Sequence, residues 1–179
     1  MEPYRFVGDH ACYFVTFTIV EWIPVFTSAT TCQIIADSLN FCHHHKALRT
    51  NAFVIMPTHM HAILFDADLD DKRFVHNLAD FRKYTGRQLA DHCSTHLPVF
   101  DQVLRAAAGQ DRKRRFWQET RHPEAIYSQG FWQQKLDYLH DNPRRKGLVR
   151  LPEHWRFSSA AYWSGDPAAS DVVLSPLPW

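Results

Sequence analysis

The chain has 179 residues, 45% of them apolar and 14% aromatic, enough for one domain with a true core. Twenty Lys and Arg stand against nineteen Asp and Glu, a formal net charge of +1 with histidines neutral, so no global field draws the chain to nucleic acid and any basic surface must be local. Cys12, Cys32, Cys42 and Cys93 form no Cys-x-x-Cys pair, which excludes a zinc ribbon and a disulfide framework. No apolar run reaches membrane-spanning length, and Met1-Glu2-Pro3-Tyr4-Arg5 holds no signal-peptide core. A soluble, intracellular protein with reduced thiols is expected.

Tyr13 to Val20 predicts a strand of aromatic and β-branched residues, with Tyr13, Val15, Phe17 and Ile19 on one face and Thr16 and Thr18 on the other. After Pro24, Ser28 is placed to cap a helix running to about His45, with Ile34, Ile35, Leu39 and Cys42 at apolar spacing. His43-His44-His45 at its end diverge by about 100° per residue, which fits a polar helix end better than a metal site. Ala52 to Met56 and His59 to Phe65 read as two strands joined tightly by Pro57-Thr58, an antiparallel hairpin. Asp66, Asp68, Asp70 and Asp71 mark a solvated loop. A helix over about Arg73 to His92 turns Phe74, Leu78, Phe81 and Leu89 inward, and Gly86 weakens it by about 1 kcal/mol relative to Ala.

Residues 94–113 read as an insertion, a loop with a short helix that ends on the basic side of Arg112-Lys113-Arg114-Arg115. His122 to Tyr127 predicts a short strand, and Gly130 opens a helix to about Asp141 that Pro143 stops. The order strand, helix, strand, strand, helix, strand, helix predicts an α+β fold. It is a ferredoxin-like βαββαβ antiparallel sheet with helices on one face and an additional C-terminal helix near the open one. One domain over 1–165 and an irregular tail over 166–179 are expected.

His59 and His61 flank Met60 in the third strand. Residues two apart in a strand share a face, so both imidazoles can aim at one point, as for a divalent metal. On spacing alone the pair fits a polar strand end as well. In the last helix Trp132, Leu136 and Leu139 form a core stripe. Tyr138 and Asn142 are neighbours on a face roughly a quarter turn away. Taken alone, they also fit a tyrosine at the core edge and an asparagine closing the helix. Tyr84, the other candidate nucleophile, has no ligand partner one turn on.

Together, Met56-Pro57-Thr58-His59-Met60-His61, Asp137-Tyr138-Leu139-His140-Asp141-Asn142-Pro143 and Lys146-Gly147-Leu148-Val149 resemble the motifs of the single-tyrosine HUH transposases. The resemblance is strongest to their REP-associated branch, the REP-associated tyrosine transposases. Motifs there run roughly Met-Pro-Asn-His-x-His and Tyr-Ile-x-x-Asn-Pro-x-Lys-x-Gly. The resemblance extends to the first strand and to Trp155-Arg156-Phe157-Ser158-Ser159, and leaves out the insertion and the last dozen or so residues. Thr58 departs from the usual Asn, and Arg144-Arg145 from the usual Val-Lys.

The resemblance implies a metal-dependent, single-stranded DNA endonuclease and strand transferase acting on REP-like hairpins. His59, His61 and Asn142 would bind Mg²⁺ or Mn²⁺, and Tyr138 would be the nucleophile that forms a 5′-phosphotyrosine. Tyrosine has a pKa near 10, so about one in a thousand is phenolate at pH 7 and activation is needed. Phosphate contacts are expected from Arg112, Lys113, Arg114 and Arg115, from Arg144, Arg145 and Lys146, and from Arg82, Lys83 and Arg87. Each cluster alone also fits a solvated surface. Trp117 and Phe131 are candidates for stacking on unpaired bases. The family implies a cytoplasmic, nucleoid-associated protein; its members include monomers and obligate dimers. Two other readings stay open, a non-catalytic hairpin-binding protein and a metal-dependent nuclease that uses water. A two-histidine phosphodiesterase would need two separated His-x-Thr or His-x-Ser motifs, which the sequence lacks.

Overall fold

A computed structural model describes residues 12–110, 112–119 and 123–177. Its centre is a four-stranded antiparallel sheet in the order β2-β3-β1-β4. β1 is Cys12–Thr18, β2 Leu48–Met56, β3 His59–Asp66 and β4 Glu124–Ala125. The helices are α1 (Ala29–His45), α2 (Asp71–His96), α3 (Pro98–Ala106), α4 (Gln129–Arg145) and α5 (Ala160–Trp163). This is the expected ferredoxin-like arrangement.

Strand alternation sorts the sheet's side chains into two cores. Tyr13, Val15 and Phe17 of β1 join Ile35 and Leu39 of α1 and Phe74, Phe81 and Leu89 of α2 on one side. Cys12 and Phe14 of β1, Val54 and Met56 of β2, and Ile63 and Phe65 of β3 join Leu136 and Leu139 of α4 on the other. Burying each of those leucines contributes about 1.5–3 kcal/mol. All four cysteines are buried and unpaired.

α4 is pinned to the sheet by polar bonds as well. The register shift in β2 falls at Asn51, between Thr50 and Ala52. Its side-chain oxygen accepts from Trp132 Nε1 (2.8 Å), and its amide donates to the Ser175 carbonyl (3.0 Å). A bulge thus turns one residue out of the ladder to hold a helix and the tail. His140 bonds Ser159 Oγ (2.8 Å), and Ser159 N donates to the Phe53 carbonyl (2.9 Å). The Trp155–Ser159 patch therefore lies along the outer edge of β2, where Ile55 N donates to the Phe157 carbonyl (2.8 Å).

Several boundaries differ from the sequence reading. β1 ends at Thr18, because Val20–Trp22 forms a 3₁₀ turn with left-handed backbone at Glu21 and Trp22. The acidic stretch after β3 is not simply solvated. Asp66 is fully buried and accepts from Arg73 (2.7 and 2.5 Å) and from the Asp68 amide (2.9 Å), while Asp70 caps α2. α2 continues to His96 and α3 follows directly, so the insertion is mostly helical. Gly86 permits a close approach. A Cβ there would lie 3.1 Å from Trp117 Cδ1, and that indole is held by Thr85 Oγ1 (3.2 Å). Of the strand expected over 122–127, only Glu124–Ala125 pairs with β1, and His122 lies outside the described residues.

Pro143 does not stop the last helix. It lies within α4, which runs on to Arg145. A proline so near the C-terminus deletes a single ladder bond. Gly147 (φ 71°) makes the stop, with Gly147 N bonded to the Arg144 carbonyl (2.9 Å) and Leu148 N to the Pro143 carbonyl (2.9 Å). That pair of bonds is a Schellman cap. Among the described residues, no helix is long and apolar enough to cross a membrane.

Candidate active site

The β2–β3 turn delivers both histidines to the α4 side of the sheet. Thr16 is paired with His61 and Thr18 with His59 across β1 and β3, so two threonines face two histidines. Thr16 Oγ1 bonds His61 Nδ1 (2.8 Å), and Thr58 Oγ1 bonds His59 Nδ1 (3.0 Å). A proton on Nδ1 donated to the hydroxyl leaves the Nε2 lone pair for a ligand, the usual way an outer partner fixes a metal-binding tautomer. The two imidazole centroids are 4.8 Å apart.

Burial sets their charge. The His61 pKa is pushed down to about 3, first by burial and then by the nearby His59 and Lys135. The His59 pKa is lowered to about 4 by burial, with Lys146 adding to it. Both rings are therefore neutral near pH 7, the form that ligates a metal.

Tyr138 of α4 meets His61 of this pair directly. Its ring lies edge-on to His61 with centroids 5.5 Å apart, and edge-on to Phe14 at 6.1 Å. The side chain is 41% exposed, so the phenol is both held and open to a substrate. Arg145, two turns on, sets its guanidinium 5.5 Å from the centre of the Tyr138 ring. Helix continuation past Pro143 is what carries Arg145 there. Asn142, one turn after Tyr138, is buried and donates its amide to the Tyr138 carbonyl (3.3 Å), leaving Oδ1 outside that bond.

Two neutral imidazoles and one amide oxygen fit an open divalent-cation site with positions left for substrate. Among the described residues, no group of three or more His, Cys, Asp or Glu stands together to hold a metal. An amide ligand would be the third donor to this pair.

The expected cations divide by position. Arg145 stands at the site through the Tyr138 ring, and the adjacent Lys146 adds its charge to the lowering of the His59 pKa. Lys135 belongs with them although its sequence context gave no signal beyond helical spacing to Tyr138. Its ammonium pairs with Glu124 (2.6 Å) and lies 4.9 Å from the Phe14 ring centre. Arg144 is tied to Asp141 (2.5 and 3.0 Å). Arg82, Lys83 and Arg87 lie on α2, across the sheet from Tyr138.

Arg82 and Arg114, both expected phosphate contacts, also hold the fold together. Half-buried Arg82 donates to the Gln118 carbonyl. Arg114 joins α2 to α3 through Asp91 (2.8 Å) and Asp101 (2.8 Å). Arg115 is 3.6 Å from Glu119. Lys83, Arg87, Arg112 and Lys113 are exposed.

Trp117 is a correction to the sequence reading. It is buried among Phe17 and Phe26 and cannot stack on a base. Phe131 stacks on the exposed Tyr127, with centroids 4.8 Å apart. Tyr84 is exposed on α2, on the far layer from the histidines. His43, His44 and His45 close α1, as expected of a polar helix end. Sequence reasoning missed Thr16 as a histidine partner. Its signal was its place opposite the core face of β1, with the partner strand's histidines in register.

No family model matches the chain, and no curated protein matches it. Among solved structures, it is similar to a REP-associated tyrosine transposase bound to a REP hairpin. The likeness covers 100% of this chain and 91% of the other, at 21% identity and a TM-score of 0.61. At that identity the likeness establishes the fold.

Proposed function

We propose that the chain is a metal-dependent, single-strand-specific DNA endonuclease and strand transferase that acts on hairpin DNA through Tyr138. The observation that carries this reading is the meeting of an exposed tyrosine with two neutral, hydroxyl-anchored histidines, Tyr138 lying 5.5 Å from His61 between ring centres. The hairpin as substrate class draws support from the similar structure, which is described as bound to a REP hairpin. A cytoplasmic, nucleoid-associated location goes with that substrate.

His59 and His61 through Nε2, and Asn142 through Oδ1, would hold Mg²⁺ or Mn²⁺, which when bound neutralises a phosphodiester and polarises its phosphorus. The remaining work falls to the chain. Arg145 over the Tyr138 ring and the adjacent Lys146 supply positive charge for the scissile and flanking phosphates. Tyr138 loses its phenolic proton to solvent, and its oxygen attacks phosphorus. The bond from phosphorus to the 3′-oxygen breaks, and that oxygen takes up a proton. The segment on the 3′ side of the break stays on the protein, its 5′-phosphate esterified to Tyr138 as a phosphotyrosine. A 3′-hydroxyl attacking that ester rejoins DNA with tyrosine as leaving group, so no nucleotide cofactor is needed.

The test is a labelled DNA hairpin with a single-stranded flank, incubated with Mg²⁺ or Mn²⁺. Wild type is expected to nick the flank. Tyr138→Phe is expected to bind the hairpin with unchanged affinity and leave it intact. Binding without nicking by wild type, in either metal, would replace this reading with that of a hairpin-binding protein.

A further inference from the structure

We propose that Trp22 is a stacking platform for an unpaired nucleobase next to the scissile phosphate, an inference that rests on the single-stranded DNA reading above. Its indole is 56% exposed and meets the His59 ring edge-on, with centroids 5.9 Å apart. An exposed tryptophan beside a candidate metal ligand has no packing role to explain it.

The backbone underneath is unusual. Glu21 and Trp22 have φ of 52° and 53°, a conformation that bulky L residues rarely adopt. The turn is nonetheless firmly held. Ile19 N donates to the Thr58 carbonyl (3.0 Å), Phe26 N to the Pro57 carbonyl (3.0 Å), and Val20 N to the Phe116 carbonyl (2.9 Å). Two of these bonds anchor the turn to the β2–β3 connection, which leads straight into His59. Trp22 and His59 are thus set relative to each other by backbone, as a positioning device requires.

The chemistry of the surroundings selects the occupant. Arg145 sets its guanidinium 5.5 Å from the Tyr138 ring centre, and that ring meets His61 edge-on, so a cation stands at the site that Trp22 borders. A flat aromatic surface at a site that also holds a cation suits a nucleotide of single-stranded DNA, its base on the indole and its phosphate in the cationic site. Glu21 lines a separate depression with Arg115 and Gln118.

The experiment measures binding of fluorescein-labelled oligothymidylate of about ten nucleotides by fluorescence anisotropy, with a second series carrying an abasic residue at each position in turn. Trp22→Ala is expected to weaken binding about 5- to 100-fold, and Trp22→Phe to restore most of it. One abasic position should weaken wild type to the same extent and leave Trp22→Ala unaffected, since the same contact is already gone. Equal binding by Trp22→Ala and wild type would overturn the proposal while leaving the DNA reading intact. So would a loss in Trp22→Ala that every abasic strand shows alike. Failure of wild type to bind any single-stranded or hairpin DNA would overturn both. Should Trp22→Ala unfold, Trp22→Phe paired with the abasic scan decides the matter. A position-specific abasic effect that weakens in the phenylalanine variant supports stacking, and an identical scan refutes it.

Discussion

Replacing Thr16 with Val tests whether the threonine–histidine pairing tunes a metal site. Valine has the same shape, so the β1–β3 ladder and the packing around Phe14 remain. What disappears is the 2.8 Å bond from Thr16 Oγ1 to His61 Nδ1. His61 is only 6% exposed, so water does not readily replace the hydroxyl. A donor left unsatisfied there costs about 1–3 kcal/mol. The ring can avoid that cost by moving its proton to Nε2, which removes the lone pair a metal needs. Either route weakens binding, and outer-partner losses of this kind reduce metal affinity by about 10- to 100-fold. Calorimetric titration with Mn²⁺ reads the difference. Thr18→Val is the control, because Thr18 is paired with His59 through the backbone ladder while the ring's Nδ1 is bonded by Thr58. Unchanged Mn²⁺ affinity in Thr16→Val, or an equal loss in Thr18→Val, would refute the reasoning.

Gly86→Ala should destabilise the fold, because the new Cβ meets Trp117 Cδ1 at 3.1 Å with the indole fixed by Thr85, an overpacking cost of about 1–3 kcal/mol against a helix-propensity gain of about 1 kcal/mol; urea unfolding checks the sign. Stability should also fall as pH drops from about 6.5 toward 4. In that window the unfolded chain protonates its histidines, while burial holds His59 and His140 neutral down to about 4 and His61 to about 3. A urea midpoint that stays flat across this range would contradict their burial as neutral rings.

Most of the fold was legible because its elements carry local signals. Ser28 does cap α1, with Thr31 N donating to its hydroxyl (3.3 Å). The Pro57-Thr58 turn fixes the register that places His59 and His61 together. Helical spacing alone makes Tyr138 and Asn142 neighbours on one face, while their expected roles rest on the resemblance carried by the paired motifs. What escaped depended on distant partners. Proline reads as a helix stop, yet the Schellman cap at Gly147 lies beyond it and decides where α4 ends. Within the basic run at 112–115, Arg114 pairs with Asp91 and Asp101, residues that only folding brings near. Trp117 gave no sign of burial, because the glycine that makes room for it is thirty-one positions earlier, in α2. Trp22 was invisible as a site neighbour because its turn breaks the strand pattern.

The most direct test of the account is a denaturing protein gel of the chain incubated with 5′-phosphodiester hairpin DNA labelled on the 3′ side of the flank's cleavage site and Mn²⁺ or Mg²⁺. The account predicts a labelled protein band that requires the metal and is absent in Tyr138→Phe. A band that survives in Tyr138→Phe would move the nucleophile to another residue, Tyr84 first among them. Cleaved DNA with no labelled protein would contradict the central claim by making water the nucleophile.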